Sequence, residues 1–130
     1  MNGIQVLVVD DEADSREFVA FVLEQAGATV LTATTANEAL TMLIQAKPTV
    51  LLSDIGMPDR DGYMLMQQGR ALPPEQGGQV RAIALTAYAG DFNQQQALQA
   101  GFQQHLSKPI EPERLIQVVA CLTQSAERSP

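Results

Sequence analysis

Asp10 and Asp11 stand directly after the apolar run Ile4–Val9, with Glu12 next in line, and Asp54 closes a second apolar run, Val50–Ser53. Thr86 follows the run Val80–Leu85, and Lys108 follows Gln103–Leu106. Carboxylates brought together oppose one another's ionisation unless a cation compensates. Crowded carboxylate oxygens suit Mg2+ or Mn2+. Mg2+ takes few protein carboxylates, keeps waters and leaves places for phosphate oxygens. A lysine opposite such a cluster can pair with Asp54, or with a phosphoryl oxygen when one is present. The Thr86 hydroxyl can donate a hydrogen bond to another phosphoryl oxygen. Taken singly, each residue has a plainer reading. Asp10-Asp11-Glu12 is a polar turn before a helix, Asp54 and Thr86 are strand-end residues, and Lys108 is a solvated cation. The chemistry requires convergence, and convergence is a demand on the fold.

The elements that must meet that demand alternate along the chain. Strand-like runs fall at Ile4–Val9, Thr29–Leu31, Val50–Ser53, Val80–Leu85 and, most weakly, Gln103–Leu106. The first, third and fourth are almost continuously apolar, as strands covered on both faces are. Helical patterns fill the gaps. The first begins at Asp14, with Glu17 completing a capping box. Its apolar stripe is Phe18, Val19, Val22, Leu23 and Ala26, and Gly27 ends it. Thr35 and Glu38 repeat the capping box, Leu40, Leu43 and Ile44 form the second stripe, and Pro48 stops that helix. A third helix is predicted over about 61–72, weakened by Gly69 and stopped before Pro73-Pro74. A fourth is predicted over about 91–100, with Gly101 after it. The fifth starts at Glu111-Pro112-Glu113, with a buried stripe of Leu115, Ile116, Val119 and Leu122. The result is an α/β chain: a five-stranded parallel sheet with helices on both faces. Right-handed crossovers leave few topologies, and the flavodoxin-like order 2-1-3-4-5 is the one expected. In that order strand 1 lies beside strand 3, and ligands bind beyond their C-terminal ends. Asp10, Asp11 and Asp54 then converge on one crevice, with Thr86 and Lys108 on the same edge of the sheet.

Bulk properties agree. The chain has 130 residues, 45% of them hydrophobic, enough for one packed domain, expected over 1–124 with a frayed tail over 125–130. Lys and Arg number 8 against 15 Asp and Glu, a formal charge of −7. That balance argues against direct nucleic-acid contact, which needs basic residues, and against an anionic membrane surface. No signal peptide and no membrane-spanning run is evident. The single cysteine, Cys121, sits in the run Val118–Leu122 and is expected to be a small buried residue. It excludes an intrachain disulfide and fits a reducing cytoplasm. The lone histidine, His105, rules out a His-rich zinc site, and no glycine-rich phosphate loop is present.

Four segments carry a family resemblance. Val6-Leu7-Val8-Val9-Asp10-Asp11-Glu12 resembles the start of response-regulator receiver domains, and Ser53–Gly62 resembles the segment around their acceptor aspartate. Leu85-Thr86-Ala87 and Ser107-Lys108-Pro109 resemble the remaining two signatures. The likeness spans about residues 4–122, with the four motifs in order.

The resemblance implies a role for each residue. Asp54 would be the phosphoacceptor, taking a phosphoryl group from a phosphohistidine on a histidine kinase or histidine phosphotransfer domain. Asp11, Asp54 and the backbone carbonyl of Gly56 would hold Mg2+, with Asp10 acting through a metal-bound water. Thr86 and Lys108 would bind the transferred phosphoryl oxygens, and the Lys108–Pro109 peptide would be cis. Phosphorylation would then switch the face made by the fourth helix, fifth strand and fifth helix, which in the family binds partners and could join two copies of the chain. The departure is His105, three before Lys108, where the family usually carries Tyr or Phe. A histidine could still turn inward as a planar ring and would add pH sensitivity; its plain reading is a partly exposed strand residue. Tyr88 would restrict the water that hydrolyses the acyl phosphate, or is a surface aromatic. Such a chain would be a phosphorelay component that catalyses only its own phosphorylation and slow dephosphorylation. Its Ala84–Ala89 and Gly101-Phe102 segments resemble receivers attached to hybrid histidine kinases.

Two other classes use related features. A Mg2+-dependent phosphatase with an aspartyl nucleophile usually carries a second aspartate two residues on, where this chain has Gly56 after Asp54 and Glu12 after Asp10. A pseudo-receiver, acting without phosphorylation, would be expected to lack one or more of the five signature residues, all of which are present.

Overall fold

The computed structural model describes residues 4–10, 12–54, 71, 80–86, 102–107 and 110–127. The strands are β1 (Gln5–Val9), β2 (Thr29–Ala33), β3 (Val50–Asp54), β4 (Arg81–Thr86) and β5 (Gln104–Ser107). They form one five-stranded sheet in the order β2-β1-β3-β4-β5, and every neighbouring pair is parallel. The described helices are α1 (Ala13–Gln25), α2 (Ala36–Ala46) and a C-terminal helix, α3 (Pro112–Glu127). The helices expected over about 61–72 and 91–100 lie outside the described residues, Ala71 apart.

The sheet buries both faces because its central strands alternate apolar residues to both sides. Val6, Val8, Val50, Leu52, Ile83 and Leu85 pack with Val19, Val22 and Leu23 of α1 and with Leu115, Val118 and Val119 of α3. Leu7, Val9, Leu51, Ala82, Ala84 and Phe102 face the other way, with Ala39 and Leu43 of α2. Unbroken apolar runs are thus the two-sided core of a parallel sheet. The ladder at β4 is lengthened by Gln103, whose N–H donates to the Ala82 carbonyl (2.9 Å) while its Oε1 accepts from the Ala82 N–H (3.0 Å).

The helix ends follow their local chemistry. At the N-terminus of α2, Thr35 Oγ1 accepts from the Glu38 N–H at 3.2 Å, the expected cap. At the C-terminus of α1, Gly27 takes φ 99°, a left-handed value that glycine adopts without penalty. The Gly27 N–H then reaches the Glu24 carbonyl and the Ala28 N–H the Leu23 carbonyl, both at 3.0 Å, closing a Schellman motif. The start of α1 differs from expectation. Asp14 lies within the first turn, Glu12 holds the N-cap position, and no side chain caps it. The helix is tied instead by its backbone, Arg16 N–H to the Glu12 carbonyl at 3.0 Å.

Three expected core residues are surface residues. Phe18 is 41% exposed and Ile44 is 37% exposed, since each sits at the edge of a stripe centred on neighbours that do reach the sheet. Cys121 is exposed because Val118, Val119 and the half-buried Leu122 occupy the inward arc of α3. It borders a shallow cavity of about 280 Å³ with Gln104, Arg114, Gln117 and Val118. The C-terminal helix continues through Glu127, into the segment expected to fray, since no Gly or Pro interrupts it there.

Leu52 is fully buried in β3. Leu52→Ala should lower the free energy of unfolding by about 2–5 kcal/mol, and Thr35→Ala by about 1 kcal/mol. Urea titration of both variants against the native chain measures the difference.

Candidate functional site

The C-terminal edge of the sheet gathers the residues singled out from sequence. Val9 lies opposite Ser53, so the next residues along β1 and β3, Asp10 and Asp54, are neighbours at adjacent strand ends, which in a sheet lie about 4.8 Å apart. Alternation along each strand gives them the same parity as Val8 and Leu52, the row that faces α1 and α3. Asp54 lies opposite Leu85 of β4, and Thr86, the next residue, lies opposite Ser107 of β5. Ser107 immediately precedes Lys108. Four strands, β1, β3, β4 and β5, therefore bring their C-terminal ends to one edge.

Asp10 is completely buried, Asp54 is 7% exposed, and the intervening Ser53 is buried as well. A carboxylate survives burial only with partners. Among the described residues no buried side-chain nitrogen or oxygen atom lacks a hydrogen bond. Asp10 Oδ1 accepts from the Glu12 N–H at 2.9 Å, and its own N–H donates to the Ala33 carbonyl of β2 at 3.2 Å. Ser53 Oγ donates to the Asp54 carbonyl at 3.2 Å. The turn between β1 and α1 is thus built around Asp10, while the backbone of Asp54 is held both by the ladder and by its neighbour's hydroxyl.

Of the predicted site residues, the structure brings Asp10, Asp54 and the backbone of Thr86 to this edge. Asp11, Gly56, Lys108, the Lys108–Pro109 peptide and Tyr88 lie outside the described residues. Among the described residues no three His, Cys, Asp or Glu side chains group closely enough to hold a metal ion; Asp10 and Asp54 are the carboxylates this edge contributes. His105 sits on β5 opposite Ala84, half-buried, on the strand that leads directly to Lys108. Sequence reading overlooks Arg16, whose Nη1 donates to the Asp10 carbonyl at 2.9 Å. The available signal is weak, a cation in a helix's first turn, where the dipole does not favour one.

Such an edge can present carboxylate oxygens to a divalent cation and to an incoming phosphoryl group. No helix among the described residues is long and apolar enough to cross a membrane.

Comparison with known proteins points the same way. A relative from Leptolyngbya boryana, an uncharacterized 14.6 kDa protein in the sodA1 3′ region, is 45% identical over 116 residues, covering 89% of this chain and 87% of its own length. The phosphate regulon transcriptional regulatory protein PhoB of Pseudomonas aeruginosa is 34% identical over 89% of this chain. The sensor histidine kinase RcsC of Salmonella typhi is 32% identical over 98% of it. This chain spans 50% of the length of PhoB and 13% of RcsC, so in both it matches one segment of a larger protein. Among solved structures, the chemotaxis protein CheY4 of Vibrio cholerae superimposes with a TM-score of 0.85 at 29% identity, covering 92% of this chain and 98% of CheY4. Residues 6–120 match the family described as the response regulator receiver domain. With its sheet order, its paired strand-end carboxylates and this match over most of its length, the chain belongs to the response regulator receiver domain family.

Proposed function

We propose that this receiver domain of two-component signalling accepts a phosphoryl group on Asp54 from the phosphohistidine of a histidine kinase or histidine phosphotransfer domain. The observation that carries the reading is the pair of buried carboxylates, Asp10 and Asp54, at the ends of adjacent parallel strands. An Asp54 carboxylate oxygen attacks phosphorus, the P–N bond to the donor imidazole breaks, and an acyl phosphate forms on Asp54. The nitrogen lone pair returns to the imidazole ring. Asp54 is suited to this step because its strand fixes its backbone while the residue keeps 7% exposure.

The residues fit a divalent cation in donor chemistry, since carboxylate oxygens are the ligands Mg2+ and Mn2+ prefer. Asp11, Asp54 and the Gly56 carbonyl would hold it, with Asp10 reaching it through water. When bound, Mg2+ would neutralise charge on the transferring group. Thr86 and Lys108 would bind the phosphoryl oxygens after transfer.

The new acyl phosphate adds about two negative charges at the end of β3, beside the end of β4 and one strand further from β5. That charge biases two packings of the face formed by the fourth predicted helix, β5 and α3, a shift in population that partners or a second copy of the chain would read. His105, on β5 and half-buried, takes the place of the family's aromatic switch residue.

Incubation with acetyl phosphate and Mg2+, followed by intact-mass measurement, should add one phosphoryl group to the native chain and none to Asp54→Asn. An unmodified native chain would identify a pseudo-receiver instead. Chelation of divalent cations should abolish the modification and Mn2+ should restore it, while Asp10→Asn should slow it about 10–100-fold. His105→Ala should label as fast as the native chain yet lose most of the shift changes that beryllofluoride induces in amide NMR spectra of β5 and α3.

A further inference from the structure

Arg16 lies in the first turn of α1, where the helix dipole disfavours a cation. Its side chain is half-buried, and Nη1 donates to the backbone carbonyl of Asp10 at 2.9 Å. That bond adds to the hold on Asp10. The Asp10 N–H is tied to β2 through the Ala33 carbonyl, and its carboxylate is tied to the turn through the Glu12 N–H. The Arg16 bond runs from a side chain of α1 back to the strand end.

We propose that Arg16 is a positioning residue for the acidic site. By anchoring the Asp10 carbonyl it holds Asp10 at the end of β1, beside the end of β3 that carries Asp54. The inference rests on the reading that these acids bind a divalent cation. Two physical effects of Arg16 on that cation oppose each other. Its positive charge repels the ion, so removing the charge alone would tighten binding. Its hydrogen bond preorganises the ligand turn, and loss of such outer supports weakens metal sites, by about 10–100-fold in well-studied cases. A donor to a carbonyl from a charged group is among the stronger hydrogen bonds. Preorganisation therefore dominates.

The sign of the effect makes the test decisive. Mg2+ affinity of the full, unphosphorylated chain is measured by titration calorimetry for the native protein, Arg16→Met, Arg16→Lys and Arg16→Gln. Arg16→Met, which keeps length without a donor, should bind Mg2+ about tenfold more weakly. Arg16→Lys, which keeps the charge and one donor, should recover most of that loss. Arg16→Gln should also bind Mg2+ more weakly than the native chain, and decides the matter if Arg16→Met does not fold. Equal or tighter Mg2+ binding by Arg16→Met or Arg16→Gln overturns the inference and leaves the phosphoacceptor reading intact. A native chain that binds no Mg2+ overturns both.

Discussion

Asp10 and Asp54 are carried to the ends of two hydrogen-bonded strands and buried there, side by side. Like charges in low-dielectric surroundings repel strongly, and each resists the loss of its water. A fold tolerates such a pair only by supplying hydrogen bonds and by holding the backbone so firmly that the side chains cannot swing apart. The turn that closes on Asp10 Oδ1, the bond from Asp10 to β2, the bond from Arg16 and the ladder on both sides of β3 are that supply.

Rigidity comes from the two-sided core. β1, β3 and β4 have no solvent-facing side, so the strand ends are fixed by packing above and below as well as by hydrogen bonding. Function then sits at the rim, where strands stop and backbone turns begin, as expected for open parallel sheets. Placing Thr86 at the end of β4 and Ser107 beside it extends the same rim by two strands. The end of β3 is therefore separated by β4 alone from β5, the strand that precedes α3. Membership of the receiver family and this geometry are independent observations that agree.

The local signals in the sequence held where chemistry is local. The Thr35 cap, the Gly27 terminus and the five strand runs depend on a few neighbouring residues, and each lies where its residue types put it. The signals that failed are those in which the chain must choose among near-equivalent faces. Phe18 and Ile44 are as apolar as their neighbours, yet the stripe that reaches the sheet is narrow and leaves them at its margin. Cys121 lies within an apolar run, but a helix turning through about 100° per residue takes it out to solvent. Glu12 and not Asp14 holds the N-cap of α1, and no side chain caps it, so the expected capping box is not formed.

The order of apolar runs and helical patterns, read with the handedness of crossovers, was sufficient to determine a parallel sheet and to name Asp10, Asp54 and Thr86 as residues at one edge of it. Periodicity and turn chemistry act over a few residues and are written in the chain directly. Tertiary structure alone decided the parallel register that sets Asp10 beside Asp54, the depth at which both are buried, and the reach of Arg16 back to the Asp10 carbonyl. These depend on how a helix settles on a sheet, a balance summed over many weak contacts that no short stretch of sequence records.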